Sequence, residues 1–406
     1  MALAALIFAS HTVDDDEQLL CAALPLAGAT LLEHQVRRAI RAGASHIVLL
    51  VERMPQPLLA AIDRLKRDSI RIDVARSVAD AADRIHPQED VLVIDDGCIA
   101  DTRMLIALGE AGAPAALAVA DQPGMEAYER IDARSRWGGV ALIDGARLHA
   151  TAEMLGEWDF ALTLLRRALQ DGATLLPVAD DEAPVLARMA RDLDRLEQRI
   201  IAGAAGLRDG WPGRYLFPLI EQPFFGRLAR SNVDPWWIGV AGAVLALMGI
   251  PFASVGLFWP ALLLLLVSGP VASLARRLAD VRMTRLRNER LLNGVRRGFA
   301  ATLLLLLGWR LGMDGAWGWT LLAALGVGGM WLLGVESRIA RAVDNRGDGR
   351  WIATDDAMAW LLLPCALVGG WEAGVAILAA YAFGSFVATQ RRLARGISAR
   401  NAAEQV

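Results

Sequence analysis

The chain has 406 residues, a formal charge of −3 and a hydrophobic fraction of 55%. Such a length exceeds the roughly 100–200 residues of one ordinary domain, so two domains are expected. Lys66 is the one lysine among many arginines, which excludes a polybasic nucleic-acid tail, and Cys21, Cys98 and Cys365 are too scattered for a CxxC pair or a metal-ligand spacing.

The N-terminal residues lack a basic n-region and run into Asp14, Asp15, Asp16 and Glu17. They read as a buried first strand with a cytoplasmic start, not as a signal peptide. Apolar runs at 3–8, 47–51, 91–94, 115–119 and 139–143 predict strands, and 29–43, 58–67 and 101–111 predict helices. This alternation predicts an α/β domain over residues 1–180, with a mostly parallel sheet covered on both faces. Ligands of such sheets sit at the carboxyl ends of the strands. Asp95 and Asp96 end the 91–94 strand; they suit Mg²⁺ as hard oxygen ligands, or they simply open a turn.

Residues 181–232 predict a linker of amphipathic and interfacial helices. Val185, Met189, Leu193, Leu196 and Ile200 recur at helical spacing across 183–202. The stretches 211–217 and 223–228 then mix aromatic residues with arginine, as helices in the headgroup region do.

Residues 233–406 predict an all-α bundle of six transmembrane helices. No ionisable side chain occurs from 235 to 275, about twice the 20 or so residues that one span needs, and Pro251 suggests where the two helices part. Further spans are predicted across 298–313, 315–335, 357–371 and 373–389, the first of them short unless Arg310 snorkels. Arginines follow the second, fourth and sixth spans, at 276–297, 338–350 and 391–400. The positive-inside rule then predicts an inner (cytoplasmic) membrane protein with both termini cytoplasmic. No acid lies in the middle of a span, which argues against a small-solute transporter.

Several passages of the first half follow the order seen in one family. Pro25-Leu26-Ala27-Gly28-Ala29-Thr30-Leu31-Leu32 leads to Ala42-Gly43-Ala44-Ser45-His46-Ile47-Val48, then to Val91-Leu92-Val93-Ile94-Asp95-Asp96-Gly97 and Trp137-Gly138-Gly139-Val140-Ala141-Leu142-Ile143. Over roughly residues 1–175 this resembles the nucleotidyltransferases with a GT-A-like, Rossmann-type fold. The resemblance implies nucleotide and metal binding at Asp95 and Asp96. It departs after the first strand, where that family has a glycine-rich, basic phosphate loop; here Ala9-Ser10-His11-Thr12-Val13-Asp14-Asp15-Asp16 has no glycine and three acids.

In the second half, Ala229-Arg230-Ser231-Asn232-Val233-Asp234-Pro235-Trp236-Trp237 leads into the first span. With six helices and a cytoplasmic loop after the second, it resembles the CDP-alcohol phosphatidyltransferases, in which fusion to a nucleotidyltransferase-like domain also occurs. Their signature, D-x-x-D-G-x-x-A-R followed by G-x-x-x-D-x-x-x-D, sets carboxylates on one helical face to hold metal against a pyrophosphate. Here Ala275 and Arg276 match, Ser268 and Val271 stand at the aspartates, Ala272 at the glycine, and the stretch from Gly294 has no aspartate.

The resemblance implies transfer of a phosphoalcohol or phosphatidyl group in phospholipid biosynthesis with release of CMP, Mg²⁺ or Mn²⁺ if active, and a homodimer. The degenerate motif implies, in the alternative, a catalytically inactive relative that binds lipid or nucleotide or scaffolds a partner enzyme. Arg276, Arg277 and Asp280 are the candidate substrate-binding residues, because basic side chains near the membrane attract anionic headgroups; Asp280 could hold a lone metal or only an ion pair. Asp344 and Asp348 could form a displaced metal site, while the following Thr354, Asp355 and Asp356 suit the cap and first turn of the fifth helix.

Overall fold

The computed structural model describes residues 2–14, 16–154, 160–203, 210–231, 233–313, 315–343 and 351–404. Two compact units emerge, Met1–Gly203 with Arg282–Thr284, and Ala204–Val281 with Arg285–Val406.

The first unit runs β1 (Leu3–Phe8), α1 (Leu31–Arg41), β2 (His46–Leu50), α2 (Gln56–Arg67), β3 (Ile72–Ala75), α3 (Val78–Asp83), β4 (Asp90–Ile94), α4 (Thr102–Ala111), β5 (Ala115–Ala120), β6 (Ser135–Asp144), α5 (Gly145–Ala152), α6 (Phe160–Gln170), β7 (Thr174–Pro177) and α7 (Ala190–Gly203). The strand order is β7-β5-β6-β4-β1-β2-β3. Strand β6 runs antiparallel to both its neighbours, and the other pairings are parallel. Successive side chains on a strand face opposite sides of the sheet. Ala5 and Ile7 of β1 therefore join Leu32 of α1, Ile62 of α2 and Leu105 of α4, while Ala4 and Leu6 join Val78 of α3, Leu148 of α5 and Leu164 of α6. Helices on both faces are what permit so continuously apolar a strand.

The predicted strands all form. Edge strands β3 and β7 escape the sequence pattern, because Asp73 and Pro177 interrupt short runs that only one neighbour pairs. The helix predicted from 183 begins instead at Ala190, since the Asp192 carboxylate accepts from the backbone N–H groups of Arg188 (3.0 Å) and Met189 (2.8 Å). The residues before it form a short ribbon, Val185–Leu186 against Cys98–Ile99. Leu193 of α7 is buried with Leu24 and Leu26, so residues 181–203 pack as part of the α/β unit.

The second unit is entirely helical in its described residues: α8 (Phe217–Arg230), α9 (Pro235–Ser254), α10 (Phe258–Val281), α11 (Glu289–Gly312), α12 (Gly318–Val343) and α13 (Asp355–Glu404). Five of these are long and apolar enough to cross a membrane, the last over Asp355–Arg395. That last helix breaks at Gly370, whose φ of 73° suits glycine. Ala353 donates to Ser385 Oγ (3.0 Å) and Tyr381 donates to the Trp351 carbonyl (3.0 Å), contacts that a straight helix rising 1.5 Å per residue could not make. The chain doubles back at Gly370 into two apolar legs, corresponding to the fifth and sixth predicted helices.

Two boundaries differ from prediction. Helix α9 continues through Pro251 to Ser254, and the turn falls at Gly256 (φ 85°); a proline in the last turn removes only one backbone bond. Helix α11 starts at Glu289, so the third span carries Arg296 and Arg297 within it.

Candidate functional site

In the α/β unit the strand order reverses direction around β1 and β4, and the loops at their carboxyl ends form the crevice where such sheets bind ligands. Asp96 lies there, buried at 4% exposure. Its Oδ2 accepts the backbone N–H of Ser10 and that of His11 (2.5 Å), both from the loop after β1. The His11 ring, half exposed, brings Nδ1 to 3.5 Å from the same oxygen. Asp96 Oδ1 is buried and has no hydrogen-bond partner among the described residues. Burial pushes the Asp96 carboxyl up to about 7, outweighing the two N–H donors that favour its charged form; Asp95 raises it further and Arg188 opposes.

The local backbone dictates this placement. Gly97 has φ of +70°, and a Cβ there would stand 2.5 Å from the Ala187 carbonyl, so only glycine lets the chain turn beside the 185–186 ribbon. Asp95 is half-buried; its N–H donates to the Gly139 carbonyl (2.9 Å) and its own carbonyl accepts from Cys98 (3.1 Å). Beneath this loop, Gln35 donates to the Cys98 carbonyl (2.7 Å) and Arg38 to the Ala100 carbonyl (2.7 Å).

The helical unit has its own polar centre, built from α8, α10, α11 and the start of α13. Arg296 of α11 donates from Nε to Ser268 Oγ of α10 (3.2 Å) and from Nη2 to Asp356 Oδ1 of α13 (2.5 Å). Both Ser268 and Arg296 are buried. Gly269 leaves room here, since a Cβ would come within 2.9 Å of Asp356 Oδ1 and 3.0 Å of Phe217. One helical turn pair further along α10, Arg277 donates to Glu221 Oε2 of α8 (2.5 Å) and lies 3.9 Å over the Phe225 ring. Arg297 pairs with Asp355 at the surface (2.8 Å).

Ser268, which the resemblance sets at the motif's first aspartate, is reached by the Arg296 guanidinium. Val271 and Ala272 pack against α9, where a Cβ on Gly242 would lie 3.4 Å from Val271 Cγ1 and 3.3 Å from the Ala272 backbone N. Ala275 is buried 3.8 Å from where a Gly239 Cβ would be. These positions form a close helix–helix contact. Arg276 is half-buried, Asp280 exposed, and Gly294 exposed on the opposite side of a turn from Arg296. Asp344 and Asp348 lie outside the described residues.

The divalent cation that the resemblance implies does not fit the donors present. Val271 and Ala272 offer no ligand atom, Ser268 already donates to the Leu265 carbonyl (2.7 Å) and accepts from Arg296, and a cation beside a fixed guanidinium is repelled. In the α/β unit, Asp96 Oδ2 faces two N–H dipoles, which favour an anion. Among the described residues no group of three or more His, Cys, Asp or Glu side chains could hold a metal ion.

Sequence reasoning missed Ser10, His11, Glu221, and the pairing of Arg296 with Asp356. Glu221 carried one signal, as the only acid in an aromatic and basic segment; nothing local marked the others.

No family model matches the chain, and no curated protein matches it. Among solved structures, a Bacillus anthracis protein assigned as a glucose-1-phosphate thymidylyltransferase, solved in complex with sucrose, matches with a TM-score of 0.38 and 13% identity, covering 49% of this chain and 95% of that one. So distant a likeness fixes neither substrate nor activity here.

Proposed function

We propose that the chain is a membrane-embedded, catalytically silent relative of the CDP-alcohol phosphatidyltransferases that binds membrane lipid or a CDP-alcohol without transferring its phosphoalcohol. One observation carries this: the Arg296 guanidinium, fixed by Ser268 and Asp356, reaches Ser268, at the position where the resembled motif has an aspartate and transfer chemistry needs carboxylates and metal. A fixed arginine can still hold a phosphate oxygen, but it supplies neither a base for the attacking hydroxyl nor a metal for the leaving CMP. The arginines that follow α10 and open α11 would draw anionic headgroups. The proposal places the protein in the inner membrane with both termini cytoplasmic, as a homodimer, with no nucleic acid as partner.

The test is CMP release by the purified protein given Mg²⁺ or Mn²⁺, a panel of labelled CDP-alcohols and membrane lipid. Release no higher than in protein-free controls is expected, together with retention of anionic phospholipid in native mass spectra. Protein-dependent CMP release would overturn the silent reading and establish the transferase in phospholipid biosynthesis.

A further inference from the structure

Residues 184–193 follow β7 and cross the carboxyl end of the sheet into the first turn of α7. Along that path they bond to loops that follow three different strands. The Tyr128 hydroxyl, in the loop after β5, donates to the Pro184 carbonyl. Val185 and Leu186 pair with Ile99 and Cys98 just beyond β4, and the Ala187 N–H donates to the Gly97 carbonyl (2.9 Å). The Asp14 N–H, in the loop after β1, donates to the Arg188 carbonyl (3.2 Å). At the far end Leu193 is buried with Leu24 and Leu26. One segment of chain thus lies across the crevice where such a sheet takes its ligands. Two buried thiols lie beneath it. Cys98 Sγ and Leu186 Cδ2 both fall within 3.1 Å of where a Gly139 Cβ would stand, and Cys21 packs among Ile99, Ala187 and Leu193. The segment itself is held lightly. Its ribbon is two residues long, and Val185, Leu186, Arg188 and Met189 are only half-buried, whereas Val91 through Ile94 of β4 are all buried. Short backbone pairing and few buried side chains mark a segment that opens before the rest of its domain.

We propose that residues 184–193 are a strap that closes the carboxyl-end crevice and lifts from it as one piece, with the Tyr128 hydroxyl and the Leu193 side chain as its two fasteners. With the strap down, the chain's own residues fill the crevice and seal Cys21 and Cys98. Lifting it breaks the short ribbon and bares both thiols together, while the sheet stays folded. A solute that uses the crevice enters through that opening. No covalent bond is made or broken.

The experiment uses the full chain in detergent, as wild type, Tyr128→Phe and Leu148→Ala. Leu148 is buried on the opposite face of the sheet, so its truncation weakens the whole unit without touching the strap. Each protein is pulsed with a maleimide, and labelling of Cys21 and Cys98 is read by peptide mass spectrometry. In wild type both thiols should react slowly, at rates that barely change in low urea, because a local opening exposes little surface. Loss of one hydrogen bond at the fastener makes the open state more frequent, so Tyr128→Phe should speed both thiols by roughly five- to tenfold. Leu148→Ala should leave both rates as in wild type. Equal acceleration by the two substitutions would mean that the thiols react through unfolding of the whole unit, and the strap would be overturned. No acceleration in Tyr128→Phe, or acceleration of one thiol alone, overturns it as well. If Leu148→Ala does not fold, the wild-type urea dependence decides: a shallow slope supports the strap, and a slope equal to that of global unfolding overturns it.

Discussion

In the α/β unit a carboxylate, Asp96, lies against two backbone N–H groups and has no full counter-charge; in the helical unit a guanidinium, Arg296, lies between a hydroxyl and a carboxylate. Each is a charged side chain buried inside its own unit. The difference lies in how the charge is met. Backbone dipoles are fixed by the fold whatever the sequence, and they answer Asp96 on one oxygen only, so burial dominates and its proton is held up to about 7. Arg296 is answered by an acid brought from another helix, so its charge is paired in place. An unpaired buried charge weakens a fold when ionised, whereas a paired one weakens it when broken.

The largest expected effect therefore lies in the helical unit. Arg296→Met leaves Asp356 without its cation and should lower stability by about 3–5 kcal/mol. Urea unfolding of the full chain in detergent, followed by helical circular dichroism, would measure this. Adding Asp356→Asn to the same protein should restore most of the loss, since replacing both partners avoids the orphaned charge. An Arg296→Met protein as stable as wild type would mean that the pair is not answered as described, and the contrast with Asp96 would lose its basis.

A smaller effect of the opposite kind belongs to Asp96. Its ordinary value is 3.8 and burial raises it to about 7, so the folded state holds the proton more tightly than the unfolded chain. That stabilisation is fully present below about pH 4 and is lost as pH rises through 7. His34, buried and lowered to about 4 chiefly by desolvation, acts in the reverse sense, gaining as pH rises from 4 to 6.5. The informative quantity is therefore the difference between wild type and Asp96→Asn. Relative to the variant, wild type should lose on the order of 4 kcal/mol between pH 4 and 8. A flat difference across that range would show that the two N–H donors, not burial, govern this carboxyl.

Much of the frame was legible because it depends on short-range periodicity. Strand β1 was predicted residue for residue from an apolar run, and α1 from a helical pattern whose start the structure caps with a Thr30–Glu33 capping box. The site was not, because its contacts join distant residues: Ser10 with Asp96 across 86 positions, Arg296 with Ser268 across 28 and with Asp356 across 60. Locally, Arg296 looks like one more member of a topology-setting cluster, and Asp356 like the first turn of a helix. The resemblance set Ser268 and Val271 at positions where the motif has acids. It could not show that a cation from the next helix fills the gap, since that needs α10, α11 and α13 in place.

The smallest effect tests whether position, and not charge alone, separates the two arginines that share this turn of α11. Arg297 pairs with Asp355 at 2.8 Å, much as its neighbour pairs with Asp356, but its side chain is 59% exposed against 9% for Arg296. Water screens an exposed pair and replaces either partner readily, so Arg297→Ala should cost about 0–1 kcal/mol, measured by the same urea titration. Equal losses at 296 and 297 would mean that the bundle needs the summed charge of α11 and not a fixed guanidinium at Ser268. A loss confined to 296 ties the effect to the one arginine that reaches the motif position, which is the feature on which the silent reading of the helical unit stands.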